Sequence, residues 1–554
     1  MFKLANIFFI LDKNKGYLGI WMFADLALLN GKIITVNEKE SIVEAVAVKY
    51  GRILHVGSNE DVNEYVGDDT KIIDLKGRTV IPGLIDSHCH MVSTGVSKLM
   101  TVNLSEEAGV KSVADIQARL AEKAKTTQKG EWIRGTREDD SKLQEKRHPT
   151  RWELDEVAPD HPVIVTTVGG HYSIVNSRAF EMAGVSKDTL DPVGGTFERD
   201  PNTGELTGGV HEKAVGVVRG TNEEPLRELA SEGAKQMLLS CATTGITCVH
   251  DSLGGSQLRA VLDLKNRGEL PIRVRMDVNI GLFPELNKLG IYQGFGDDWV
   301  RVTGLKFFFD GSISARTAAV SEPYLHRTDY YGIMATTREI ARKTILDAYA
   351  AGYRIVSHAN GDKAIDIYLD IMEEAQTKFP RDDPRNRAIH CTVVNPQIIK
   401  RIKKLGILPT IFGPYPYYHG DKLLPAFGEE RLEWMFAARS FLDAGIKIAA
   451  HSDHSAAPYP PLMGIHALVN RITKAGKPIG RSQKITVIEA LKLYTINGAY
   501  QAFDEERLGS IEPGKLADMV VLGEDILTVP AETILDIPID MTIIEGKTVY
   551  SREV

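Results

Sequence analysis

Apolar and polar residues follow two different rhythms along this chain. From Ala24 to Val80, short β-branched runs alternate with turn signals: Leu26 to Leu29, Asn30-Gly31, Lys32 to Val36, Ala45 to Lys49, Tyr50-Gly51, Arg52 to Val56, Lys71 to Leu75 and Lys76-Gly77. Strands broken by Gly-containing dipeptides predict an all-β start. The same grammar returns near the other end, in Gly509-Ser510-Ile511-Glu512-Pro513-Gly514-Lys515, Asp518 to Leu522, Met541 to Ile544, Glu545-Gly546 and Lys547 to Tyr550. Residues 22–80 and 506–554 are therefore expected to build one small β-sandwich domain from both chain ends.

Between them, short continuous apolar runs alternate with longer charged stretches whose apolar positions fall three and four apart. The runs are Thr79 to Asp86, Gly245 to Asp251, Ile272 to Val278, Val302 to Asp310, Tyr353 to His358, Arg387 to Val394, Ile407 to Phe412 and Ile446 to Asp453. Arg338 to Ala351 and Pro396 to Leu405 are helical in pattern. A strand buried on both faces reads as an unbroken apolar run, so this alternation predicts a parallel (β/α)8 TIM barrel of the α/β class over residues 81–505. About 150 residues separate the first two runs, too many for one crossover helix. A large insertion after strand one, about residues 95–240, is expected there, with a strand at Pro162 to Val168.

Residues 1–21 precede this grammar and read as an N-terminal extension. Their apolar stretch, Leu4 to Leu11, is interrupted by Asn6 and ended by Asp12-Lys13-Asn14-Lys15, with no small-x-small cleavage site after it, unlike a secretory signal. No run reaches the ~20 apolar residues that span a bilayer.

Composition narrows the partners. In 554 residues, 66 Lys plus Arg stand against 74 Asp plus Glu, a net charge of −8, with no long basic run. That argues against nucleic acid or a membrane surface and for a small-molecule substrate. Cys89, Cys241, Cys248 and Cys391 are too few for a disulfide scaffold and form no Cys-x-x-Cys pair, so a cytoplasmic location is expected. A homodimer is a further expectation, with no residue behind it.

The chemistry lies at the C-terminal ends of the predicted strands, where barrel active sites form. Strand one ends Asp86-Ser87-His88-Cys89-His90, strand four holds Lys306, strand five ends in His358, strand six carries His390, and strand eight ends His451-Ser452-Asp453. Histidines at i and i+2 share a strand face, so His88 and His90 can grip one ion from one side. Alone, His358 or His390 reads as a hydrogen-bonded core histidine, and Asp453 as a helix cap. Together on one rim they read as ligands of a divalent ion such as Zn2+. Lys306, between Leu305 and Phe307, is costly as a buried ammonium. Either it pairs with a carboxylate such as Asp310, or its lowered pKa lets it add carbon dioxide and become a bridging carbamate.

These residues resemble the amidohydrolase superfamily of metal-dependent hydrolases, and most closely its YtcJ-like and N-substituted formamide deformylase branch. The resemblance spans about Ala24 to Tyr550. It rests on Pro82-Gly83-Leu84-Ile85-Asp86-Ser87-His88-Cys89-His90, His171-Tyr172-Ser173-Ile174-Val175-Asn176-Ser177-Arg178-Ala179, Lys306 with Asp310-Gly311-Ser312, and His358-Ala359-Asn360-Gly361-Asp362. It continues in Ile389-His390, Ser452-Asp453 and the tail from Gly509 to Asp518. The resemblance implies one or two metal ions, with His88 and His90 on the first, His358 and His390 on the second, and Lys306 bridging as a carbamate. Asp453 would be both ligand and proton shuttle, and His171 would polarise the substrate carbonyl. His451 and His454 depart from the family pattern, as a second layer, substrate contacts, alternative ligands or rim histidines in water.

Arg316 is expected either to orient substrate or to pair with Asp310. Tyr415, Tyr417, Tyr418 and His419 follow strand seven and are expected to wall the mouth. The expected reaction is hydrolysis of a non-peptide carbon–nitrogen bond in an amide, N-formyl compound or cyclic amide. Deamination is the nearest rival. Superfamily deaminases typically carry a glutamate three residues after the strand-five histidine, and that position is Gly361. Ester cleavage and metal-assisted decarboxylation or isomerisation use similar ligands. A scaffold without catalysis predicts missing ligands, and all six positions are filled.

Overall fold

The computed structural model describes residues 23–219, 227–325 and 327–552, together with the strands Phe8–Leu11 and Leu18–Trp21. Those two strands pair antiparallel in a sheet of their own, and the rest of the N-terminal extension lies outside the described residues.

Eight parallel strands follow one another around the central sheet: β1 (Leu84–Cys89), β2 (Ile246–Leu253), β3 (Arg273–Asn279), β4 (Val300–Phe308), β5 (Ile355–Ala359), β6 (Arg387–His390), β7 (Leu408–Phe412) and β8 (Ala449–His451). The ring closes just past the strand ends. Asp453 N–H donates to the His88 carbonyl at 3.0 Å, and His90 N–H donates to the His454 carbonyl at 2.8 Å. Amphipathic helices cover the outside; Pro396–Leu405 buries Ile398, Ile399, Ile402 and Leu405, and the Asn395 side chain caps its start by accepting from Ile398 N–H.

The expected first run, Thr79 to Asp86, is two strands. Thr79–Pro82 pairs antiparallel with Met519–Leu522 and parallel with Lys32–Ile34, and only β1 joins the barrel. The break falls at Gly83, where a Cβ would lie 2.1 Å from Thr247 Oγ1 of the neighbouring strand. Strands from both chain ends thus share one sheet. That sheet and the four-stranded sheet of Leu26–Leu29, Ala45–Lys49, Arg52–Gly57 and Lys71–Asp74 enclose a common core of Leu26, Leu28, Val46, Val80, Met519 and Val521. Arg273 of β3 anchors it to the barrel through Asp518, both buried, at 2.7 and 2.9 Å.

After β1 the chain forms helix α1 (Met91–Met100), which packs on helix α2 (Arg227–Ala242) against the barrel wall. Between them lies a six-stranded mixed sheet in the order Val102–Asn103, Ile133–Glu138, Val163–Thr167, Tyr172–Val175, Leu206–Glu212, Gly195–Arg199. Its turn at Gly169-Gly170-His171 reaches over the barrel mouth.

Candidate metal centre and active site

Strand geometry aims the side chains inward. Asp86, His88 and His90 alternate along one face at the exit of β1. Phe308 registers with His358, so Lys306, two residues before Phe308, faces the same side as His358. His390 breaks this rule. Arg387 points into the barrel and donates to Asp277 at 2.9 Å, so strict alternation would turn His390 outward. A left-handed backbone, φ +70°, swings it back. Asp453 does not end the eighth strand as expected; β8 stops at His451, and Asp453 sits two residues on with φ +54°.

These residues meet. His88 Nε2 and His90 Nε2 each lie 3.4 Å from Asp453 Oδ1, and one ligand atom from each of the three falls within 4.8 Å of the others. Lys306 Nζ is 3.1 Å from His88 Nε2. His390 Nε2 is 3.0 Å from His358 Nδ1. The His88 and His390 rings are 5.4 Å apart, which joins the two groups. His171 stands over them, its ring 5.3 Å from that of His358.

The donor set fits a divalent metal. Burial, reinforced by neighbouring Lys306 and histidines, holds His88, His358 and His390 well below the usual imidazole range, in the neutral form that ligates. Buried nitrogens of His88, His390 and His451 have no hydrogen-bond partner among the described residues. Burial lowers Lys306 to about 7, which makes its neutral amine accessible. Asp453 runs the other way: burial alone would raise it, but His90, His451 and Lys306 hold it below its ordinary value as a carboxylate.

Four residues outside the sequence-based set hold this arrangement. Asp86, fully buried and pushed up to about 7 by that burial, accepts from Ser452 Oγ (2.5 Å), Ser452 N–H (3.1 Å) and His88 N–H (3.3 Å). One carboxyl thereby ties the ends of β1 and β8. Gly311 O lies 3.2 Å from His358 Nε2, which takes the ring proton and leaves Nδ1 free toward His390. Asn360 donates to the same carbonyl at 3.0 Å. Glu212 sits 2.8 Å from His171 Nδ1. Although burial opposes it, Glu212 holds the His171 imidazole above its ordinary pKa, so Nε2 carries a proton toward the site. Asp86 stood inside the quoted strand-one motif; nothing in sequence linked Glu212 to His171.

Asp310 pairs with neither Lys306 nor Arg316. Its oxygens accept from the N–H groups of Asn360 (2.9 Å), Gly361 (2.8 Å) and Ala319 (2.9 Å). Arg316 is exposed and lines a cavity of about 210 Å³ with Glu138, His148, Tyr172, Ser314 and Lys422. A larger cavity, about 350 Å³, lies by Asp25, Tyr50 and Glu545 and contains none of the site residues. Tyr415 is buried against Phe412 at 4.1 Å between ring centres, and Tyr418 donates to Glu107 at 3.1 Å. Tyr417 packs on His466, and His419 Nε2 lies 2.9 Å from the Ala456 carbonyl. Neither His451 nor His454 is a rim histidine in water, since they are 0% and 2% exposed. His451 stacks among Phe412, His390 and His88, and burial drops it to about 3.

A parallel barrel with histidines and a carboxylate gathered at its mouth is the architecture of a metal-dependent hydrolase. The chain belongs to the amidohydrolase family, whose pattern matches residues 71–550. YtcJ of Bacillus subtilis (strain 168) is 29% identical over 536 residues, covering 94% of this chain and 98% of YtcJ. The N-substituted formamide deformylase of Arthrobacter pascens is 27% identical over 542 residues, covering 95% and 98%. The resemblance to this branch is thus borne out. Among solved structures, an uncharacterized metal-dependent hydrolase from Pyrococcus horikoshii OT3 matches with a TM-score of 0.73 at 27% identity, covering 91% of this chain and 99% of that one.

Proposed function

We propose that this amidohydrolase cleaves a non-peptide carbon–nitrogen bond in an amide, N-formyl or cyclic amide substrate. His88, His90 and Asp453 would hold one divalent ion, zinc by the chemistry of the donors, and His358 and His390 a second, with Lys306 between them. Bound there, zinc supplies Lewis acidity toward the carbonyl and lowers the pKa of water toward about 7. The observation that carries the reading is the convergence of His88, His90 and Asp453 ligand atoms within 4.8 Å at the exit of β1.

The chain's own residues do the rest. Asp453, kept anionic by His90, takes a proton from the attacking water and passes it to the leaving nitrogen. His171, protonated against Glu212, donates from Nε2 to the carbonyl oxygen as negative charge develops there. Lys306 as a neutral amine adds carbon dioxide: the N–C bond forms, one proton leaves, and the two carbamate oxygens are set beside His88.

Gly361 disfavours the deaminase alternative. A Cβ there would lie 1.8 Å from the Ala319 carbonyl oxygen, so the loop that follows β4 fills the space of a glutamate. The deformylase activity named for the Arthrobacter relative supports the N-formyl class.

A screen of N-formyl, N-acyl and cyclic amides with zinc-loaded protein tests the reading. Turnover that stops on chelation and returns with zinc is expected. Ammonia release from an aminated heterocycle, with no amide cleaved, would replace this reading with deamination.

Among the described residues, no helix is long and apolar enough to cross a membrane. A cytoplasmic enzyme acting on a small molecule is consistent with that and remains part of the proposal.

A further inference from the structure

The strand pair that carries His171 has two faces. Tyr172 registers with His211 across it, and successive residues on a strand point to opposite sides. His171 and Glu212, the neighbouring residue on each chain, look toward the metal centre. Tyr172 and His211 line the cavity of about 210 Å³ on the other side, whose walls include none of the proposed metal ligands. The partition is tight: a Cβ at Gly169 would lie 3.2 Å from Ser312 Oγ and 3.3 Å from Ser314 Oγ. The cavity is therefore a compartment of its own, between the insertion sheet and the loop after β4.

Four carboxylates line it, Glu138, Asp139, Asp140 and Glu198, against Lys422, Arg316 and His148. Their pairings leave three groups unmet. His148 Nδ1 pairs with Glu138 at 2.8 Å. Lys422 alone serves two aspartates, Asp140 at 2.6 Å and Asp139 at 3.3 Å, and Asp139 Oδ2 stays buried without a partner among the described residues. Glu198 accepts from the hydroxyls of Tyr172 (2.9 Å) and Thr207 (3.1 Å) but meets no cation among the described residues. Gly209 makes room for that arrangement, since a Cβ there would lie 2.1 Å from Glu198 Oε2 and 2.4 Å from the Tyr172 hydroxyl. On the loop after β4, Arg316 has no carboxylate partner among the described residues, and it sits on a left-handed backbone, φ +59°, that strains a non-glycine residue.

Carboxylates without a cation and a guanidinium without an anion, in the walls of one cavity, call for a ligand that carries both charges. We infer that this cavity binds a small amino acid, with its ammonium taken by Glu198 and Asp139 and its carboxylate by Arg316. The volume, about 210 Å³, equals that of roughly seven waters, which leaves room for a short side chain. Tyr172, held between His148 and His211 at 4.7 and 4.3 Å between ring centres, gives the cavity a rigid wall. The site stands apart from the carbon–nitrogen hydrolase reading, because no step of that reaction passes through it.

Three compounds test it: L-norvaline, butylamine, which lacks the carboxylate, and pentanoate, which lacks the ammonium. Calorimetric titration of zinc-loaded protein should show norvaline binding at least about fivefold more tightly than either of the others. Arg316→Gln should bring norvaline down to about the affinity of butylamine, and Glu198→Gln to about that of pentanoate. Both side chains are exposed, and a glutamine at 198 still accepts from Tyr172, so the fold is kept in each. Ala315→Phe, which fills the cavity with a ring, should weaken norvaline binding at least about tenfold and leave the zinc content unchanged. Norvaline that fails to bind at about 10 mM, or that binds no more tightly than butylamine or pentanoate, would overturn the inference. So would a preference for norvaline that survives both charge substitutions, because zinc itself would then be holding the amino acid.

Discussion

Lys306 holds its side-chain nitrogen 3.1 Å from Nε2 of His88, a contact that two cations could not share. Burial lowers the lysine to about 7, so its neutral amine is populated near neutral pH, and holds the histidine well below its usual range. The proposed carbamate needs that neutral amine. Lys306→Ala should lose activity and one metal ion, and added bicarbonate or a short carboxylate should restore part of both by filling the vacated volume with two oxygens. Intact mass measured without acid should show one added carbon dioxide per chain. A bare amine with two metals still bound would defeat the bridging role.

Asp453 is shared by His88 and His90, whose Nε2 atoms each lie 3.4 Å from its Oδ1. Asp453→Asn keeps the volume and one ligating oxygen but removes the base. Turnover should fall at least about a hundredfold while most of the metal stays. Near-normal turnover would move the proton shuttle elsewhere, with His451 the first substitute to test.

Glu212 raises the pKa of His171, and the sign of the consequence is fixed. A donor of raised pKa stays protonated to higher pH, so kcat/KM should decline as pH rises through the His171 pKa. In Glu212→Gln the imidazole loses its anionic partner and that decline should begin at lower pH. Coincident profiles for the two proteins would take His171 out of carbonyl activation.

Gly361 accepts no side chain because the Ala319 carbonyl occupies the space, and its N–H is bound by Asp310. Gly361→Ala should cost roughly 1–3 kcal/mol of stability in denaturant melts, since backbone cannot yield as a side chain does. An unchanged midpoint would show that the loop after β4 moves freely, and the steric case against a glutamate there would fall with it.

The barrel was legible in sequence because buried parallel strands must be apolar on both faces, which left the polar strand ends conspicuous. What escaped was set by backbone and distance. Thr79–Pro82 and β1 are both apolar and both buried, so no change of pattern marks their division at Gly83. Alternation along β6 predicts His390 facing away from the site, and only its left-handed backbone corrects that. Asp453 reads as a strand terminus in sequence, yet it lies in the turn that closes the ring against His88. Glu212 and His171 meet through the insertion sheet, across strands whose pairing no local pattern encodes.

The central claim is that the exit of β1 supplies the metal site. Elemental analysis of purified protein and of the His88→Ala plus His90→Ala double variant, each shown folded by circular dichroism, tests it most directly. The account predicts about one or two divalent ions per chain in the former, zinc foremost, and loss of most of that metal in the latter. An unchanged metal content in the double variant would contradict it.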